Sequence, residues 1–200
     1  MRYDVRASAS FDDASRTDIT RETKQILSFA CIAAALSREG TEGARPELVR
    51  LDEAVRGVLT ELLGEDGYTF VGVDPVRLEP VFHDPEGRRV EFDDLPRSLR
   101  HLVAFGALTI RSLAAAWPDR DPRESEGVVL LDDVETEQPL FRQRTIVSRL
   151  QRALPHVQWI ITTSSTDVVL GCPSSAIVML RRRPGGSAIE LHEGSDAVLH

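Results

Sequence analysis

The chain has 200 residues, 42% hydrophobic and 28% charged, which suits one globular domain with a real core, or such a domain with a small insertion. Thirty-two acidic residues against 24 basic ones give a formal net charge of −8, so a mainly electrostatic grip on nucleic acid is not supported, although Arg181, Arg182 and Arg183 could build a local basic face. Cys31 and Cys172 have no metal-ligand spacing, and the first residues, MRYDVRASASFDD, hold no apolar signal core. A reduced, cytoplasmic protein without a membrane segment is expected.

Residues 1–17 are polar and read as a loop or frayed end; Met1 leads into what looks like the middle of a domain. Asp18 or Thr20 can cap a helix to about Arg38, whose apolar residues cover more than one face. A second helix, from about Pro46 to Leu63, repeats Leu48, Leu51, Val55, Val58, Leu59 and Leu62 at helical spacing, with Pro46 in its first turn. Three strand-like runs follow, over 68–73, 77–82 and 88–92, the last two joined by the turn sequence HDPEG. Together, 18–94 reads as a helical and small antiparallel, lid-like part.

The 95–200 part opens with the longest helical pattern, from Leu95 to Trp117. Its apolar stretch from His101 is interrupted by Arg111 and reads as too short for a bilayer. After a polar loop comes GVVLLDDVE, an apolar run ending in acids, the pattern of a buried parallel strand. A helix over about 138–154 and a second apolar run over 157–163 complete a strand–helix–strand unit. Residues 176–180 and 187–191 flank RRRPGG as a terminal hairpin. The expected fold is α/β, with a mainly parallel sheet flanked by helices.

The chemistry concentrates at Asp132 and Asp133, delivered to the carboxyl end of a strand, where open α/β sheets bind ligands. One carboxylate there can hold Mg²⁺ through its water shell, and a second can orient an attacking water. The plainer alternative is that Asp133 and Glu135 cap the next helix and face solvent. His83 and His156 read as surface residues, Trp117 and Trp159 as core, and no histidine pair has zinc-ligand spacing. Ser164 and Ser165 follow a strand, but no GxSxG elbow accompanies them. A phosphoacceptor receiver is disfavoured because its acids come early, and the single lysine here is Lys24.

The order of long helix, loop, hhhhDD, helix and WIITTSS resembles the C-terminal half of ABC-type ATPases related to SMC and RecF proteins. The resemblance covers about residues 90–182 and only loosely 18–90. It implies ATP and Mg²⁺ as cofactors, Asp132 as the Walker B metal ligand, and Asp133 at the catalytic glutamate's place, one methylene shorter. It puts Glu135 to Pro139 at the D-loop and Ser164 where a switch histidine normally stands. Ser98 and Arg100, near the start of the long helix, would meet a nucleotide across a dimer. Leu95-Pro96-Arg97-Ser98 departs from the family's Leu-Ser-Gly-Gly signature, and no GxxxxGK[ST] phosphate loop occurs anywhere. The chain therefore reads as an ATPase half, inactive alone, completed by a homodimer or a partner chain bearing the phosphate loop. The alternative is a non-enzymatic interaction domain on a decayed ATPase fold.

Overall fold

The structure is a computed structural model, and it describes residues 19–38, 45–182 and 189–193. The expected N-terminal segment 1–17, the cap at Asp18, Arg183 and His200 lie outside the described residues. In chain order the elements are α1 (Ile19–Arg38), α2 (Pro46–Leu63), β1 (Thr69–Val73), β2 (Pro80–His83), β3 (Arg89–Glu91), α3 (Arg97–Ala116), β4 (Gly127–Leu131), α4 (Leu140–Gln143), α5 (Ile146–Ala153), β5 (Val157–Ile161), α6 (Thr166–Leu170), β6 (Val178–Arg182) and β7 (Ile189–Glu193). Residues up to Leu130, with Arg149–Ile160, form one compact unit; Leu131–Ser148 and the residues from Ile161 onward form a second.

The first unit is built on three helices. Leu27, Ala30 and Ala34 of α1, Val58, Leu62 and Leu63 of α2, and Leu102, Val103 and Ile110 of α3 are all 0% exposed. Gly106 sets how closely α3 approaches α2, because a Cβ there would lie 2.7 Å from both Leu62 Cδ1 and Val58 Cγ1. The apolar stretch from His101 reads as too short for a bilayer, but the whole 20-residue helix α3 is long and apolar enough, by length and composition alone, to cross one. Half of it is buried inside the protein, the pattern of a core helix.

Beside the helices, β1, β2 and β3 form an antiparallel sheet, with Phe70 opposite Phe82 and Phe82 opposite Val90. The ring of Phe82 lies 5.2 Å from that of Phe70 and 6.4 Å from that of Phe92, an aromatic seam at the sheet's buried face. The second strand starts later than its apolar run suggests. Asp74 Oδ1 accepts from the amides of Val76 and Arg77, both at 2.9 Å, and Leu78 adopts a left-handed φ of 58°. That side-chain-capped turn absorbs 74–79 and leaves Pro80 to open β2.

Arg149 is buried at 4% exposure, and its guanidinium is matched by Asp66, by Glu65 at 2.8 Å and by the Leu62 carbonyl at 3.3 Å. A buried cation needs such a set of acceptors.

The architecture is α/β, but the sheet differs from expectation. Among the described residues β4 and β5 form a two-stranded parallel pair, and β6 and β7 a separate antiparallel hairpin as expected. No larger parallel sheet is present among them. Nor is β4 buried on both faces: Val128 and Leu130 are 58% and 68% exposed, while Val129 between them is half-buried. Ile160 on β5 is 48% exposed. Parallel pairs are ordinarily covered on both faces, and this one is covered on one.

The expected helix over 138–154 is broken into α4 and α5. The Thr145 amide and hydroxyl both return to the Arg142 carbonyl, at 2.9 and 3.2 Å, and that local competition ends α4. Trp117 is 40% exposed rather than core, with Arg120 stacked 4.8 Å from the ring centroid.

Replacing Gly106 with valine is expected to lower stability by about 1–3 kcal/mol, the usual cost of overpacking a close helix crossing. Urea denaturation of the two forms measures it. An unchanged midpoint would mean that α2 and α3 are not in close contact.

Candidate functional site

The parallel pairing of β4 and β5 continues past both strands. The Thr162 amide donates to the Leu131 carbonyl at 2.9 Å, and the Val134 amide donates to the Thr162 carbonyl at 3.2 Å. This brings the acidic turn after β4 and the Thr-Thr-Ser-Ser segment after β5 together, all within the second unit. Val134, 1% exposed, anchors the turn from below.

The Thr162 side chain joins the two aspartates. Its hydroxyl donates to Asp132 Oδ1 and accepts from the Asp133 amide at 3.0 Å. Asp133 sits at φ 47°, in the left-handed region, and Glu137 at 61°. Non-glycine residues seldom adopt that region; aspartate does so more readily than most. Both aspartate side chains are exposed. They lie at the strand ends as the sequence implies, although on an open surface rather than at a buried tip.

Glu135 is held from several sides. Its carboxylate accepts from the Thr163 hydroxyl at 2.6 Å, and from the amide and the hydroxyl of Ser164, both at 2.8 Å. Partial burial alone would push its pKa up. The donors from Thr163 and Ser164, with its own amide, outweigh that and hold the carboxyl at about 2. It is therefore not a free helix cap; it clamps the loop after β5.

From Ser164 the hydrogen bonds run on. The Ser165 amide donates to Thr163 Oγ1 at 3.0 Å. The Ser165 hydroxyl donates to Gln143 Oε1 and caps α6 by accepting from the amides of Asp167 and Val168. Gln143 Nε2 in turn donates to the Gln138 carbonyl at 2.8 Å, and Arg144 pairs with Asp167 at 2.8 Å. Gly171, just past α6, packs so tightly that a Cβ would lie 2.0 Å from the Arg144 carbonyl oxygen.

The structure thus gathers Asp132, Asp133 and Ser164 into one hydrogen-bonded loop pair. Ser98 and Arg100 belong to the first unit, in the first turn of α3; Ser98 is 9% exposed and Arg100 half-buried. Sequence reasoning missed the roles of Thr162 and Glu135, as well as the helix α6. The signal for the first two was a run of hydroxyl side chains after an apolar strand, three of which satisfy acids some thirty residues away. Among the described residues no three His, Cys, Asp or Glu side chains converge as a metal site. The exposed oxygens of Asp132 and Asp133 fit a cation that keeps most of its waters, as Mg²⁺ does. The phosphate cradle that ATP needs is absent from the sequence.

No family model and no curated protein matches the sequence. Solved structures do match. The SMC head bound to the C-winged helix domain of ScpA superposes with a TM-score of 0.57 at 14% identity, over 92% of this chain and 56% of that one. The fold is similar to part of an SMC head. A second structure, concerned with ATP-driven dimerization and DNA-stimulated activation of SMC ATPases, aligns with a TM-score of 0.52 at 10% identity, over 76% of this chain and 88% of that one. The chain spans little more than half the length of the first of these heads, which fits a reading of it as an SMC-like half.

Glu135 gives this site a pH signature. Its pKa is depressed on folding from 4.5 to about 2, so its stabilising contribution is complete above pH ~4.5 and is lost as pH falls toward 2. Stability measured by urea midpoint should fall through that window, and Glu135→Gln should flatten the fall. An unchanged slope in the variant would show that other carboxylates control acid unfolding.

Proposed function

We propose that this chain is one half of an SMC-like ATPase head, supplying the acidic strand end of a composite nucleotide site. The observation that carries the reading is the Thr162 bridge, which holds Asp132 and Asp133 together at the ends of a parallel strand pair. In this reading Asp132 holds Mg²⁺ through water, and Asp133 orients the attacking water. Ser164 faces the terminal phosphate from the position of a sensor.

Mg²⁺, when bound, would neutralise developing phosphate charge. The phosphate cradle comes from another chain or segment carrying GxxxxGK[ST], in a cytoplasmic assembly. Ser98 and Arg100 would meet a nucleotide held by a second head, through the N-terminus of α3. The half-covered β4–β5 sheet supports the need for a companion, since Val128, Leu130 and Ile160 present apolar surface that a further layer would bury.

The same exposed face, with the burial of Ser98, also favours a second reading: an interaction domain on an ATPase fold that no longer handles nucleotide. The two part company on Mg-ATP. On the first reading the isolated chain hydrolyses no ATP but binds Mg-ATP weakly in calorimetry. Asp132→Asn then weakens binding by about tenfold or more, equivalent to roughly 1.4 kcal/mol, and Asp133→Asn leaves binding nearly intact while abolishing turnover in the completed site. Identical isotherms for wild type and Asp132→Asn would hand the decision to the interaction-domain reading.

A further inference from the structure

We propose that Glu135 is a positioning residue that decides whether Ser164 can serve a phosphate. The inference rests on the nucleotide reading above and goes beyond it, because the acid concerned is neither of the two aspartates assigned to metal and water. A serine offers two hydrogen-bond donors in all, its amide and its hydroxyl. In Ser164 both are spent on one acceptor, Glu135 Oε1, each at 2.8 Å. The second carboxylate oxygen is fixed by the Thr163 hydroxyl at 2.6 Å, so Glu135 cannot swing aside without breaking that contact too.

A sensor of a terminal phosphate must donate, since the phosphate oxygens only accept. As the site stands, Ser164 has no donor to give. Its hydroxyl must rotate away from Glu135 before it can reach an anion, and the carboxylate, held ionised by its donors, opposes both that rotation and the approach of negative charge. Glu135 is therefore a hold on the loop in the resting state and a competitor of phosphate for the Ser164 proton. The neighbouring contacts spread the consequence: Thr163 Oγ1 also accepts from the Ser165 amide, and Ser165 caps α6. Release of Glu135 would loosen the entry to that helix.

The experiment uses the full chain with Mg-ATP as probe, in wild type, Glu135→Gln, Ser164→Ala and the double variant, together with amide hydrogen exchange by NMR. Glutamine keeps the size of the side chain and removes the charge. The Ser164 amide should exchange about fivefold faster in Glu135→Gln, the change expected when a charged acceptor becomes neutral. Mg-ATP should bind about fivefold more tightly to that variant, and this gain should vanish when Ser164 is alanine. A purely structural glutamate would lower stability without any such coupling in affinity. Tightening that survives in the Ser164→Ala background, or weaker binding by Glu135→Gln, overturns the competition. Absence of Mg-ATP binding in all four proteins overturns the nucleotide reading and the release step with it. An unchanged Ser164 amide overturns the hold itself, whatever the binding result.

Discussion

The site depends on one hydroxyl. Thr162 stands where β5 ends, and its Oγ1 simultaneously donates to Asp132 and accepts from the Asp133 amide. Two adjacent carboxylates on a turn would otherwise repel each other and sample many rotamers. The threonine gives one of them a donor and pins the backbone of the other. It can do so because the parallel pairing of β4 and β5 runs on past the strands, through the Leu131 and Thr162 carbonyls, and carries both loops forward in register. Strand pairing, a backbone property, thus becomes side-chain geometry.

A second layer of polar contacts surrounds that bridge. Glu135, Thr163, Ser164, Ser165, Gln143 and Gln138 link the acidic turn to the loop before α6 and, through the last residue of α4, to the segment that leads into that helix. Such networks are rigid when every member is satisfied and costly when one is removed. The close approach of Gly171 to the Arg144 backbone adds a steric stop behind the same loop. Among the described residues of the second unit only Val134, Ile146 and Val168 are buried apolar side chains, and the loop pair is held chiefly by hydrogen bonds.

Much of this was legible in the sequence where periodicity or composition speaks. Helix α2 spans the residues its leucine spacing names, α1 and α3 lie within two residues of their patterns, and the two aspartates do end a strand. What escaped is what depends on distant partners. Nothing local marks Glu135 as the acceptor for a loop 28 and 29 residues later. The break between α4 and α5 depends on a threonine folding back on Arg142, a choice that helical propensity does not encode. The apolar run of β4 reads as buried because its residues are apolar; whether something covers them is a property of the surroundings. Val128 and Leu130 show that the pattern reports what a strand can bury, and that burial itself needs a second surface.

The backbone at Asp133 carries a further consequence. At φ 47° the residue sits where a side chain branching from Cβ crowds the chain, and where short acids and amides are tolerated best. A glutamate at this position would gain reach and lose conformational ease. The shorter acid is thus the easier fit to the main chain at this position, although Glu137 a few residues on also takes a left-handed φ. Asparagine shares aspartate's tolerance of this region, so exchanging one for the other at 133 would remove the charge and leave the main-chain shape of the turn in place.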